Sequence, residues 1–273
     1  MAAYTTIDDP SAHFQTTLFT GGGATVVTVT NDGNSDLSPD LLWFKRRDSA
    51  TAHVIMDTTQ GANVTSGNGP SGYNITSNIN TAASQIADNT GVMTITSNGF
   101  TSKEMTYTAG NVSTGSMCCW QWKMNGGTSA SNTDGNITST VQANTTAGQS
   151  IVTWTGTENN SATVGHGLDK APETIIYKRG NNASYGWVAH LLQLGTLSNG
   201  NTYAGYPHAT NSWEQTTMPA PTATIIKPTS GATTNSGIVF IVFKDTVKWV
   251  SILETAAQMD HLSIQDLNQL LYT

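Results

Sequence analysis

His53 and Asp57 lie four residues apart in the run His53-Val54-Ile55-Met56-Asp57. That is the spacing of a metal pair on a helix, but the run alternates as a strand, where residues two and four apart share one face. A polar contact, or a general acid/base pair, is the chemistry this arrangement could support. No third group is placed to orient it, so a structural hydrogen bond or simple exposure is the expectation. His166 stands between Gly165 and Gly167, where small neighbours let a ring reach a ligand or let the backbone turn sharply. Asp40 and Glu173 each follow a proline. A carboxylate pair is the equipment of glycoside hydrolysis when its separation is right. Because the two occupy equivalent places in a repeated segment, capping a turn or pairing with Lys or Arg is expected instead. The only two cysteines, Cys118 and Cys119, are adjacent and strand-like. Their side chains should therefore point to opposite faces as ordinary thiols, with no intrachain disulfide. No Cys-x-x-Cys spacing suggests a metal, and neither metal nor cofactor is expected.

Aromatic residues offer a different chemistry, the stacking of flat faces on sugar rings. Trp43, Trp120, Trp122 and Trp154 fall in apolar, strand-like runs and are expected in the core. Trp187 and Trp213 stand nearer polar, loop-like sequence. With Tyr185, Tyr203, Tyr206 and His166 they form the candidate glycan-contact set.

The elements that must position these residues are strands. Short β-branched runs recur from Ala24 to Thr30, Leu41 to Phe44, Val54 to Met56, Val92 to Thr96, Met117 to Trp122, Ile137 to Val141, Ser150 to Thr155, Thr174 to Lys178, Trp187 to Leu191 and Ile238 to Phe243. Between them lie turn clusters such as Gly21-Gly22-Gly23 and Asn31-Asp32-Gly33-Asn34. No long amphipathic helix interrupts them, which favours a sandwich or jelly roll over an α/β design. The interval 61–91 is polar, and its run from Gly61 to Gly72 reads as a long surface loop.

One segment is written twice. Pro39-Asp40-Leu41-Leu42-Trp43-Phe44-Lys45-Arg46 returns 133 positions later as Pro172-Glu173-Thr174-Ile175-Ile176-Tyr177-Lys178-Arg179. The strands Cys118 to Lys123 and Phe240 to Lys244 close the two copies in the same order. A duplicated β domain follows, with modules over 1–130 and 131–245 and a boundary in the Gly-rich interval Asn125 to Gly135. The last stretch, 246–273, changes character and reads as a helical tail, with Ser263 and Asp266 placed as a capping box before Leu267, Leu270 and Leu271.

Only 11% of the 273 residues are charged, and the net charge is −7 with 11 basic residues. That balance argues against a phosphate-neutralising groove and against an anionic membrane surface. The start has neither a basic n-region nor an apolar h-region, and no run is long enough to span a bilayer. A chain made soluble in the cytoplasm, with no nucleic acid and no membrane insertion, is expected.

The sequence resembles a family of tail-fibre-like virion proteins encoded by marine bacteriophages, especially those of cyanobacteria. The resemblance rests on Ala3-Tyr4-Thr5-Thr6-Ile7-Asp8-Asp9-Pro10-Ser11, on Pro39 to Arg46 followed by His53 and Asp57, on Asn98-Gly99-Phe100 and on Trp120-Gln121-Trp122-Lys123. It continues through Asn132-Thr133-Asp134-Gly135, Ser150-Ile151-Val152-Thr153 and Gly165-His166-Gly167-Leu168. It implies a phage structural component with lectin-like β-sandwich modules of jelly-roll or concanavalin type, and brings no established chemistry. Relatives continue past Val242 with a turn- and aromatic-rich run that this chain lacks. Codons for the residues from Phe243 to Tyr272 can spell that run one frame over, so a frameshift near Val242 is expected, the alternative being a helical oligomerisation tail.

The resulting expectation is a non-enzymatic virion protein, a tail-fibre or receptor-binding component that contacts host-surface glycans. The alternatives are a capsid or tail decoration protein and a glycan-degrading enzyme. Its expected partners are other virion proteins and further copies of itself, as a trimer by analogy with fibres.

Overall fold

The computed structural model describes residues 7–23, 25–49, 54–59, 71–74, 84–85, 94–102, 115–157, 161–179, 188–192, 197–205, 214–228 and 238–243. Apart from the 3-10 turn Pro10–Ala12 and a 3-10 position at Leu192, the regular structure there is strand. In the first half of the chain these strands are β1 (Phe14–Thr20), β2 (Val27–Thr30), β3 (Leu41–Arg46), β4 (Val54–Asp57), β5 (Ser71–Asn74), β6 (Ser84–Gln85), β7 (Thr94–Thr96), β8 (Gly99–Ser102) and β9 (Ser116–Trp122). In the second half they are β10 (Ala130–Asn132), β11 (Ser139–Asn144), β12 (Gln149–Trp154), β13 (Val164–Gly165), β14 (Thr174–Arg179), β15 (Val188–Leu191), β16 (Asn201–Gly205), β17 (Glu214–Pro219), β18 (Ile225–Ile226) and β19 (Ile238–Phe243). The all-β expectation holds among the described residues. The helical reading of 246–273 lies outside them.

Four antiparallel sheets result. One has six strands in the order β1-β9-β3-β4-β5-β6, and one has eight in the order β10-β11-β12-β19-β14-β15-β16-β17. The smaller two are β2-β8-β7 and β13-β18. Among the described residues no strand of the first half joins a sheet of the second. The polar interval 61–91 contains β5 and β6, while residues 61–70 of the loop expected from Gly61 to Gly72 lie outside the described residues. The interval 125–135, expected to hold the module boundary, contains β10, which pairs with β11. Asn- and Gly-rich composition hid both, because a strand at a sheet margin needs little apolar surface.

The two large sheets repeat one another in register. Leu41 faces Trp122 across β3 and β9, and Thr174 faces Phe243 across β14 and β19. Phe14 faces Trp122 across β1 and β9, and Gln149 faces Phe243 across β12 and β19. The order first-last-third-fourth-fifth-sixth is thus common to both halves, with β1, β9, β3, β4, β5 and β6 corresponding to β12, β19, β14, β15, β16 and β17.

Alternation along each strand builds three cores. Leu42, Phe44, Met56, Met117 and Cys119 pack on Val29 and Phe100 of the three-stranded sheet. On the opposite face, Leu41, Ile55 and Trp122 meet Ile151 of the eight-stranded sheet, with Trp43, Trp120 and Ile176 packed alongside. Beyond it, Val152, Ile175 and Tyr177 pack on Val164 and Ile226 of the two-stranded sheet. The layers therefore run three-, six-, eight- and two-stranded, with the two large sheets facing each other. At about 25 cal/mol per Å², burying one Leu or Phe in such a layer contributes about 2–3 kcal/mol. Cys118 and Cys119 are both buried, on opposite faces, with no disulfide between them.

Candidate functional site

Polar groups join the two halves. Asp40, 2% exposed at the start of β3, accepts from the backbone N–H of Met124 at 2.8 Å and of Gly126 at 2.9 Å, and from the Thr58 hydroxyl at 3.0 Å. Buried Gln142 of β11 mirrors it from the second half. Its Oε1 accepts from Gly127 N–H at 2.9 Å, and its Nε2 donates to the hydroxyls of Thr58 and Thr59, each at 2.9 Å. Nearby, the side-chain amides of Asn144 and Gln149 donate to the Lys123 carbonyl. Burial pushes the Asp40 carboxyl above its usual range, opposed by its N–H and hydroxyl donors. Both carboxyl oxygens are engaged in holding the segment between the halves, which is the capping role expected of this position. Glu173, its equivalent, is half-buried, and its carbonyl accepts from Leu192 N–H as Asp40's accepts from Thr58 N–H. Asp57 is buried and accepts from Thr59 N–H at 2.9 Å, while His53 lies outside the described residues.

His166 is fully buried. Leu168 N–H donates to its Nδ1 at 3.2 Å, which leaves the proton on Nε2, 3.2 Å from the Thr222 carbonyl. Burial lowers the ring's pKa, opposed by the Thr222 contact and by Asp134. Both ring nitrogens are held by backbone and the ring is fully buried, so neither of its faces is open to a sugar, and Gly167 beside it has the positive φ, 71°, of a sharp turn.

His190 of β15 is a feature the sequence reading missed. It is fully buried and stacked on Tyr177, with ring centroids 5.5 Å apart and planes at 8°. Its Nδ1 lies 3.0 Å from the Thr202 hydroxyl, which itself donates to the Met218 carbonyl at 3.1 Å. Nδ1 therefore carries the proton, and Nε2 has no hydrogen-bond partner among the described residues. Burial lowers the pKa to about 4, against a weaker opposing contact with the Tyr203 backbone. One signal was available, since the repeat aligns His190 with Met56, an apolar core position.

Of the aromatic candidates, Tyr203 lies on β16, half-buried, opposite Gln215 of β17. Tyr185, Trp187, Tyr206 and Trp213 lie outside the described residues. The strands that flank them do not. β14, β15, β16 and β17 are successively antiparallel neighbours. Arg179, Val188, Gly205 and Glu214, which bound the segments 180–187 and 206–213, therefore share one end of the sheet. The topology brings the strand ends that flank both aromatic-bearing segments to one end of the sheet. Among the described residues no cluster of His, Cys, Asp and Glu is placed to hold a metal ion, and no helix is long and apolar enough to cross a membrane.

The profile of DUF7483, a domain of unknown function, matches residues 9–248, spanning both halves. The chain belongs to the DUF7483 family. One DUF7483 profile thus spans both copies of the sheet pattern. No curated protein and no solved structure matches the chain.

Proposed function

We propose that this protein is a non-enzymatic structural component of a virion, of the tail-fibre or receptor-binding kind, that contacts host-surface glycans. It is built as two tandem β-sandwich modules of jelly-roll or concanavalin type, assembles with other virion proteins and with copies of itself, and requires no cofactor. The observation that carries the binding site is the shared end of β14 to β17. There the segments holding Tyr185 and Trp187 and those holding Tyr206 and Trp213 leave the sheet together. Trp and Tyr are the side chains that supply most contact energy per residue at low entropic cost. The low charge of the chain supports recognition by stacking and amide hydrogen bonds rather than by ions. Weak sites repeated on an oligomer add through avidity, so no deep pocket is required.

The test is a glycan array probed with the full chain and with Trp187→Ala and Trp213→Ala. The reading expects a restricted set of glycans bound by the parent, with each substitution weakening binding about tenfold or more. Equal binding by parent and variants, or none by the parent, would contradict it.

A further inference from the structure

The two copies of the large sheet differ at one edge. In the second half, β12 is covered on its outer side by β11, paired from Ser139 opposite Trp154 to Asn144 opposite Gln149. The hairpin between them closes through Gly148, whose φ of 72° is the left-handed geometry such a turn requires. In the first half the corresponding strand, β1, pairs with β9 on one side, and no strand among the described residues pairs with the other. The 3-10 turn Pro10–Ala12 stands before it in place of a hairpin.

The ladder shows which backbone groups are left facing outward. Lys123 N–H donates to the His13 carbonyl and Gly21 N–H to the Gly115 carbonyl. In an antiparallel pair this parity directs the odd-numbered residues of β1 toward β9 and the even-numbered ones away from it. The amides and carbonyls of Thr16, Leu18 and Thr20 therefore point out of the sheet. Ile151 and Thr153, the equivalents of Thr16 and Leu18, meet Gln142 and Thr140 of β11 instead.

Edge strands are ordinarily blunted by shortness, charge, proline or a bulge. Three of the four outer strands of the large sheets are protected in these ways. β6 has two residues and β10 three, while β17 contains Glu214 and Pro219 and its register with β16 is broken. β1 has seven residues, Phe-Gln-Thr-Thr-Leu-Phe-Thr, in unbroken register with no charge and no proline. Leu18 on it is 43% exposed. Val26, on the connection that leaves it, is 56% exposed, and these are the exposed large apolar side chains of the described residues.

We propose that β1 pairs antiparallel with β1 of a second copy of this chain, joining two six-stranded sheets across a two-fold axis at Thr17. In that register all seven residues are matched. Thr16 faces the partner's Leu18 and Phe14 faces the partner's Thr20, so the outward amides and carbonyls of one copy meet the same groups of the other. A strand that opposes itself tolerates no charge near the axis, because each charge would meet its own kind, and β1 carries none. An isologous interface of this sort closes at two chains. The pairing rests on the sheet edge alone and is independent of the glycan-binding reading. It differs from the three-fold arrangement that the resemblance to fibres implies.

Sedimentation velocity of the full chain and of Leu18→Lys, with amide hydrogen exchange at Thr16, Leu18 and Thr20, tests it. The expected result is a species of twice the 28.8 kDa chain, a dissociation constant raised about tenfold or more by Leu18→Lys, and protection of those three amides that falls on dilution. A monomer at every concentration, a three-chain mass, or a dimer that is indifferent to Leu18→Lys and leaves those amides unprotected would overturn it. Should Leu18→Lys fail to fold, as judged by circular dichroism, the dilution dependence of exchange in the unsubstituted chain decides alone.

Discussion

Asn31 and His166 occupy the same position in the two halves. Each follows the first strand of a small antiparallel pair, where Val29 faces Phe100 and Val164 faces Ile226. Each donates its backbone N–H to the matching residue of the opposite strand, Asn98 in one case and Thr224 in the other. Their side chains have diverged. Asn31 accepts at Oδ1 from Gln121 Nε2 at 2.6 Å and from the Thr17 hydroxyl at 2.8 Å, whereas His166 turns to Thr222 and Leu168. The positions equivalent to Thr17 and Gln121 are Val152 and Val242, so the second half has no amide network for an Asn to join.

Asn31→Ala therefore removes the donor to Gln121 Oε1, inside a fully buried side chain whose Nε2 keeps only the Thr17 hydroxyl. Equilibrium urea unfolding should show a loss of about 2–3 kcal/mol, the cost of leaving buried amide groups without partners. A change within experimental error would mean that the network contributes nothing.

His190 should make the fold acid-sensitive. Its folded pKa of about 4 lies below the ordinary 6.5, so the unfolded chain takes up the proton first as pH falls. Stability is whole above pH 6.5 and declines toward pH 4, by about 3 kcal/mol from this one group. His166, shifted the same way, adds to the slope. His190→Met, which installs the side chain that the first half carries at Met56, should remove close to one proton from the difference between folded and unfolded states in that window. Denaturant midpoints measured at several pH values would show it.

Asp40 behaves oppositely. Its folded pKa lies above 3.8, so its carboxyl costs stability as pH rises through the folded value. Asp40→Ala leaves Met124 N–H, Gly126 N–H and the Thr58 hydroxyl without their acceptor, at about 2–4 kcal/mol. Asp40→Asn keeps an oxygen for the two amides and turns its NH2 toward Thr58, so calorimetry should find it the milder of the two.

Gly99 begins β8 with φ of 116°, and a Cβ there would collide with the Val29 carbonyl. Gly99→Ala should cost about 2–4 kcal/mol through backbone strain and a parted β2–β8 ladder. Thermal unfolding measures it.

Sequence and structure agree where the apolar signal is strong. The strands from Leu41, Met117 and Thr174 are largely apolar on both faces because each is buried on both, between two layers. β1 escaped notice because its Thr and Gln residues blur the alternation, so that neither face of Phe14–Thr20 reads as apolar. The short strands β13 and β18 have two residues each, too few for any period to register. The repeated proline-carboxylate motif located Asp40 as a cap, but its partners come from Thr58 and the 124–126 backbone, which no local pattern couples to it. Gln121 and Gln142 were illegible for a related reason: in a chain rich in Asn, Gln, Ser and Thr, the few buried amides look like the many exposed ones. Histidines gave the least warning, since burial of His166 and His190 depends on strands that pair across long sequence separations.

A structure of the protein within its particle tests the central claim most directly. The account predicts copies in a tail-associated oligomer, with the end of the eight-stranded sheet at Arg179, Val188, Gly205 and Glu214 outermost and free to meet a host surface. Copies lying flat on a capsid with that end covered, or a particle without the protein, would contradict it.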